Sequence, residues 1–374
     1  MAVDSDQNAG QNAGEPTGQP ADPTAVATSA FGGRLLELLT GHALTMLLSI
    51  GHRTGLFEAA ALGPATSVEL AERAGLDERY VREWLAAMVT GRILRYQPDT
   101  GWYSLPAEHA PLLTGAHSGN IGPAADSLGV LAALLPSVRR CFTEGGGVPF
   151  AEFAAVAGAD LGRQWRHIYD EHLVDGFLGA APGLLDRLRA GARALDLGCG
   201  TGHAVNLMAR EFPASRFVGL DNSADAIGLA EADRAAAGLD NAEFRLADAA
   251  ELVTEHPFDL VTAFDSVHDQ RSPGQVLRAI HHALAPDGVF LLVDGNFSSH
   301  LEHNLDNRYA TLSYAISLLF CLPTSRVEGG GGLGAVWGRE LATEMLTAAG
   351  FTEIRVLDSP RPQTCVYVCR RGAR

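Results

Sequence analysis

The chain has 374 residues, 47% of them apolar, enough for two folded units with sizeable cores plus a tail. Its 44 acidic against 28 basic residues leave a formal charge of −16, which argues against a nucleic-acid polyanion as main partner, since phosphate neutralisation needs a basic surface. Every one of the 28 cations is arginine, so Schiff-base and pyridoxal-phosphate catalysis, which need a lysine amine, are excluded.

Residues 1–30 are rich in Gly, Ala, Asn, Gln, Pro and Thr and read as a disordered tail that cannot offset its ordering entropy. Nothing there has the basic flank and apolar stretch of a signal peptide, and no run of 18 uncharged apolar residues follows, so the expected location is cytoplasmic, away from membranes. From Phe31 to about residue 115 the order is a helix over Gly32–Leu56, a short helix capped near Thr66, a longer one capped by Asp77, then two strands around Pro98–Gly101. That is the outline of a winged helix. Its second helix carries Arg79 and Arg82 beside Asp77, Glu78 and Glu83, a balance that favours a dimerisation or pocket role over reading DNA.

Residues 116–190 are mostly helical with a break at Gly145–Gly147, a linker that also supplies part of an acceptor pocket through Tyr169 and His172. From about 191 onward short apolar strands alternate with helices: Ala194–Leu197, Phe217–Leu220, Glu243–Leu246, Leu260–Phe264 and Val289–Val293. This predicts an α/β, doubly wound, seven-stranded and mostly parallel sheet, with Ile354–Leu357 and Cys365–Cys369 as a terminal antiparallel pair. The five cysteines form no CxxC pair, and Cys365 and Cys369 read as core filler.

Function concentrates on Asp196-Leu197-Gly198-Cys199-Gly200-Thr201-Gly202, a strand-to-helix turn that puts a ligand at a helix N-terminus. Its spacing fails the dinucleotide pattern: three positions after Gly200 stands His203, and three after Gly202 stands Val205. No Gly-Lys-Ser/Thr follows, so a P-loop is excluded. Acids recur at the ends of successive strands, Asp196, Asp221 and Asp248, where an open α/β sheet binds its ligands. Asp221 suits two ribose hydroxyls, Asp248 an adenine amino group and Asp196 an ammonium; the alternative is that each caps the helix after it.

With Gly219-Leu220-Asp221, Ala247-Asp248-Ala249 and Ala285-Pro286-Asp287-Gly288, this turn resembles the successive motifs of class I S-adenosylmethionine-dependent methyltransferases, from about 191 to 297. Together with the winged-helix front and the stretch 298–338, the chain is similar to bacterial winged-helix methyltransferases acting on small molecules. Its layout is also that of the plant-type O-methyltransferases, which dimerise through the front domain. The resemblance implies S-adenosyl-L-methionine as cofactor, held by Asp196, Gly198, Gly200, Gly202, Asp221, Asn222, Asp248, Ala249 and Asp265, and a homodimer. It implies methyl transfer to a small molecule, at oxygen before nitrogen or carbon, in secondary metabolism. The competing reading is a transcriptional regulator that senses the same cofactor.

His268, just past the fourth strand and followed by Asp269, resembles the catalytic His-Asp of the plant-type enzymes and is the expected general base. The insertion 298–338 reads as a lid, with His300, Glu302, Tyr314, Phe320 and Trp337 as further pocket residues. His300, Glu302 and His303 could join His268 around a metal, but no ligand spacing repeats and none is expected.

Overall fold

The computed structural model describes residues 22–158 and 162–372. The first helix, α1, runs Pro23–Arg53, so the expected disordered tail is corrected for residues 23–30, while residues 1–21 lie outside the described ones. The reason is local: Asp22 caps the helix by accepting from the Thr24 N–H at 3.0 Å, and Pro23 at the first position has its φ preset for a helix. The low content of large side chains had pointed to disorder, but Ala and Thr need no core to continue a capped helix.

Helices α2 (Leu56–Ala61), α3 (Ser67–Ala74) and α4 (Glu78–Thr90) precede a hairpin of β1 (Arg95–Gln97) and β2 (Trp102–Ser104). Thr66 and Glu69 form a reciprocal capping box on α3, and Asp77 caps α4. Leu56, Phe57, Leu70, Val81, Trp84, Leu85 and Met88 close this domain's own core. On α4, Arg79 pairs with Glu83 at 2.6 Å and Arg82 with Glu78 at 3.4 Å, so both cations are matched on their own helix.

A helical layer follows: α5 (Ala110–Leu113), α6 (Gly122–Ala133), α7 (Leu135–Glu144), α8 (Phe150–Ala157), α9 (Arg163–His172) and α10 (Leu184–Ala190). Then comes the sheet, with β3 (Arg193–Leu197), β4 (Arg216–Asp221), β5 (Ala242–Leu246), β6 (Phe258–Phe264), β7 (Leu284–Gly295), β8 (Glu353–Asp358) and β9 (Thr364–Arg370) in the order β5-β4-β3-β6-β7-β9-β8. The first five strands pair in parallel, and β9 runs antiparallel between β7 and β8. Helices α11 (His203–Glu211), α12 (Ala224–Ala236) and α13 (Pro273–Ala283) connect them, and the two apolar clusters hold residues of the opposite sheet faces, as alternate side chains of a strand must. Cys365 and Cys369 are buried free thiols on one face of β9.

Between β7 and β8 lies the insertion, with α14 (Ala310–Ile316), a π-helical turn over Ser317–Cys321, α15 (Leu322–Ser325) and, after it, α16 (Gly338–Ala348). Ile316, Leu319 and Phe320 pack on Leu131, Val138 and Phe153 of the helical layer, and the Val148 N–H donates to the Pro323 carbonyl at 3.0 Å. Insertion and helical layer thus form one cap against the sheet domain.

Candidate active site

The order of the strands reverses between β3 and β6, so the connections after these two strands diverge and leave a crevice at their carboxyl ends. Gly198 and Gly202 are glycine because the chain closes on itself there. A Cβ on Gly198 would stand 2.6 Å from the Ser266 Cβ, and one on Gly202 2.5 Å from the Ala230 Cβ. Gly200, at φ +52, differs: a Cβ there would meet no protein atom within 4 Å, so its face of the turn opens to a ligand.

Asp221 fixes that turn, accepting from the Gly200 N–H at 2.8 Å and the Ser223 N–H at 2.9 Å. Burial raises its pKa against the lowering effect of these bonds, and its carboxylate keeps unused lone pairs for hydroxyls. Asn222 beside it is exposed. Asp196 is buried, accepts from the Thr262 hydroxyl at 2.7 Å, and is pushed up to about 7 by desolvation. No cation among the described residues forms a salt bridge with it. Asp265 follows β6 at φ +54, an unusual conformation for a non-glycine, and burial raises it to about 6. Tyr169 of α9 stands against the ring of Phe264 at 5.3 Å, its phenol raised well above the usual 10 by burial and by Asp196 and Asp265.

Asp248 is half-exposed and does what the capping alternative foresaw: it caps the turn Ala249–Glu251 by accepting from the Ala250 N–H at 2.8 Å. Its other oxygen lies 3.5 Å from Arg271, which also pairs with Glu328 of the insertion, while Ala249 is buried. The crevice therefore unites Asp196, Gly200, Asp221, Asp265 and Tyr169, with Asp248 and Ala249 at its edge in the connection after β5.

His268, the expected base, is held among carboxylates. Its ring is fully buried, with Nδ1 2.9 Å from Asp294 Oδ1 and Nε2 3.4 Å from Asp269 Oδ1, and Nε2 makes no hydrogen bond. Burial lowers its pKa, but the carboxylates of Asp294 and Asp269 outweigh that and raise it well above the ordinary histidine value. The bond to Asp294 fixes the orientation of the ring and which of its nitrogens carries the proton. Asp294 closes β7 and also accepts from the Trp337 indole at 3.0 Å and the Gly295 N–H at 2.7 Å.

The other expected pocket residues scatter. His300, Glu302 and His303 are exposed and, among the described residues, join no cluster of three metal-ligating side chains. Phe320 packs edge-on against Phe153 inside the cap, and Trp337 is buried as the partner of Asp294. Tyr314 accepts from the Asn304 side chain at 3.1 Å. His172 ends α9, its Nε2 3.4 Å from the Ser118 hydroxyl. The sequence reading missed Asp294, although an acid closing a strand was the signal it followed elsewhere. It also missed Arg361, whose guanidinium lies 5.9 Å over the Trp165 ring near Asp265, and the placement of Cys321 beside His268; both come from distant parts of the chain without any local mark.

A parallel sheet ending in an antiparallel pair, a glycine turn tied to an acid on the neighbouring strand and a helical cap define a class I methyltransferase fold. Residues 188–350 match the family described as "Methyltransferase domain", and residues 42–115 match the "Rv2258c-like winged HTH domain". Residues 188–350 are thus a methyltransferase domain by both sequence and fold, and residues 42–115 an Rv2258c-like winged helix.

Among curated proteins it is similar to the trans-aconitate 2-methyltransferase of Streptomyces avermitilis, 34% identical over 150 residues, 39% of this chain and 54% of that protein. The chain spans about half the length of the first such relatives it matches. Among solved structures, human N-acetylserotonin methyltransferase in complex with its S-adenosylmethionine superposes with a TM-score of 0.66 at 18% identity, over 96% of this chain and 100% of that one. The mitomycin 7-O-methyltransferase does so with a TM-score of 0.64 at 19% identity, over 93% and 100%. Likeness at this identity is likeness of fold.

Proposed function

We propose that this chain transfers a methyl group from S-adenosylmethionine to a small-molecule acceptor, at an oxygen before a nitrogen or carbon. The observation that carries the cofactor is the open face of Gly200 between Asp196 and Asp221. A buried carboxylate with no cationic partner among the described residues stands on one side and an acceptor-rich carboxylate on the other. The residues fit the group. Asp196 receives its ammonium, Gly198, Gly200 and Gly202 let its amino-acid part approach the backbone, Asp221 accepts from the ribose, and Asp248 with Ala249 borders the adenine. Asn222 stands at the ribose edge, and Asp265 closes the crevice opposite Tyr169. When bound, the cofactor supplies an electrophilic sulfonium methyl. The chain's own part is to hold the acceptor in line with that carbon and keep water out.

The acceptor pocket is assigned to the space between the cap and the crevice, with Tyr169 and His172 on the α9 side and the 298–338 insertion as lid. Curated and structural relatives whose names specify O-methylation of small molecules support oxygen as the target. The regulator reading is weaker because Arg79 and Arg82 are already paired with glutamates on α4.

Isothermal titration with S-adenosylhomocysteine tests the reading. One site per chain is expected, with affinity lowered at least about tenfold in Asp221→Ala, the usual cost of one lost pair of hydrogen bonds in a polar site. No binding to the wild type, or unchanged binding in the variant, removes the proposal. Incubating the enzyme and labelled cofactor with a metabolite extract, followed by mass spectrometry, then identifies the acceptor.

A further inference from the structure

Arg361 is a cation at the crevice that the cofactor, as described above, does not use. It lies in the turn between β8 and β9. The pairing of Gly295 with Thr364 brings that turn to the carboxyl end of β7, the edge where an open sheet binds its ligands. Pro360 and Pro362 flank it and preset the backbone on either side. Its N–H donates to the Ser359 hydroxyl at 3.1 Å, and its carbonyl accepts from the Thr364 N–H at 2.9 Å. Asn296 holds the turn from β7, donating through its backbone to the Gln363 carbonyl at 2.9 Å and through its side chain to Pro362 at 3.1 Å. A side chain on so braced a turn is aimed before any ligand arrives.

Only one edge of the guanidinium is used. The Gln363 side chain, its amide oxygen turned to Arg361, accepts from Nη2 at 2.5 Å and from Nε at 3.1 Å. That leaves the Nη1–Nη2 edge, a second pair of parallel N–H donors. Among the described residues Nη1 has no hydrogen-bond partner, and no carboxylate forms a salt bridge with the group. Asp265 is its charged neighbour, yet burial outweighs that carboxylate and lowers the Arg361 pKa from its usual value. The cation is therefore short of a counter-ion. Its flat face lies 5.9 Å over the Trp165 ring, which stacks on Tyr169 at 5.3 Å.

The strand order separates this cation from the cofactor. The glycine turn follows β3, whereas Arg361 stands past the ends of β7 and β9, with β6 between the two. It thus belongs to the half of the crevice that faces Trp165 and Tyr169 of α9. We propose that Arg361 determines acceptor specificity, its free edge pairing with a carboxylate on an acceptor whose planar body lies along Trp165 and Tyr169. The inference rests on the methyltransferase reading and names the acceptor class for it. A bidentate pair fixes both the position and the tilt of a carboxylate, which aligns the acceptor's reacting oxygen with the sulfonium methyl.

The test uses full-length protein, labelled S-adenosylmethionine and a panel of hydroxylated aromatic carboxylic acids, each paired with its uncharged amide. The acids are expected to be methylated with kcat/KM at least about tenfold above their amides, the usual worth of a charge-assisted pair. Arg361→Gln should erase that ratio by raising KM for the acids, and Arg361→Lys should restore part of it. Affinity for S-adenosylhomocysteine should stay within about twofold of wild type in both variants. A purely structural arginine would lower turnover of acids and amides alike and leave their ratio unchanged. That outcome, or a panel in which no acid is methylated while S-adenosylhomocysteine still binds, overturns the acceptor class and leaves the cofactor reading standing. A loss of S-adenosylhomocysteine affinity in Arg361→Gln with the ratio intact would assign the arginine to the cofactor's own carboxylate and overturn the proposal too. Absent binding of S-adenosylhomocysteine to the wild type removes the methyltransferase reading itself.

Discussion

Asp196 shows how a single residue couples the fold to its ligand. Its carboxyl is buried beside the glycine turn, donated to among the described residues by Thr262, and faces Asp221, the Tyr169 phenol and the Cys199 thiol, none of them cationic. Desolvation therefore lifts it to about 7 from 3.8. For a carboxyl raised on folding, ionisation opposes the folded state: its contribution is most favourable below about 3.8 and declines as pH rises towards 7. An ammonium delivered by the cofactor reverses that balance by favouring the charged form. Affinity for S-adenosylhomocysteine is accordingly expected to strengthen as pH rises from 5 to 7, by up to about tenfold per unit, with proton release at pH 6. Calorimetry in buffers of different ionisation enthalpy measures that release, and Asp196→Asn should abolish it. An affinity independent of pH across this range would contradict the assigned role.

At the scale of elements, the insertion is anchored by polar side chains as well as by its apolar contacts with the helical layer. Glu340, in the first turn of α16, accepts from the Ser299 N–H at 2.7 Å and the Ser298 hydroxyl at 3.0 Å, tying the chain leaving β7 to the helix that returns it. These bonds, the backbone one first, lower its carboxyl to about 2 from the usual 4.5. A carboxyl depressed on folding contributes fully above its unfolded value and loses that contribution as pH falls through the folded one. Glu340→Gln should lower the urea midpoint at pH 6, and the gap from wild type should narrow as pH falls from about 4.5 to 2. A gap constant with pH would mean that the tether acts through shape alone.

For the whole molecule, the unexplained surface is α1. It is the described helix long and apolar enough, by length and composition, to cross a membrane, and it is almost unburied. Phe31, Leu35, Leu36, Leu38, Leu39 and Met46 are all exposed on it, an apolar area that lone soluble chains seldom leave open. If the homodimer that the sequence resemblance implies forms, a second copy of this chain would cover it. The neighbouring end of α1 is already committed to protein, with Ser49 and His52 bonded to Asp126 of α6 at 2.5 and 3.0 Å. Leu36→Asp with Leu39→Asp should raise the dimer dissociation constant at least about a hundredfold, since each buried leucine contributes about 1.5–3 kcal/mol. Sedimentation of both forms measures it, with vesicle flotation as control. A wild type that is monomeric, or that floats with vesicles, refutes the dimer.

How much could be read before folding follows from the range of each interaction. The glycine turn, the strand-end acids 196 and 221, the alternation of strand and helix, and the final antiparallel strands are local signals, written in spacing and periodicity over a few residues. They determined the sheet, its ligand edge and the cofactor class. The start of α1 was local too, in Asp22-Pro23, but was outweighed by composition. Only the tertiary structure decided that His268 is enclosed, that Asp294 and Trp337 hold it, and that Cys321 reaches it across some fifty residues of chain. Burial, pKa and ligand sets depend on which loops the topology brings to one sheet edge. No period in the sequence encodes that, because each partner is free to come from any strand's end.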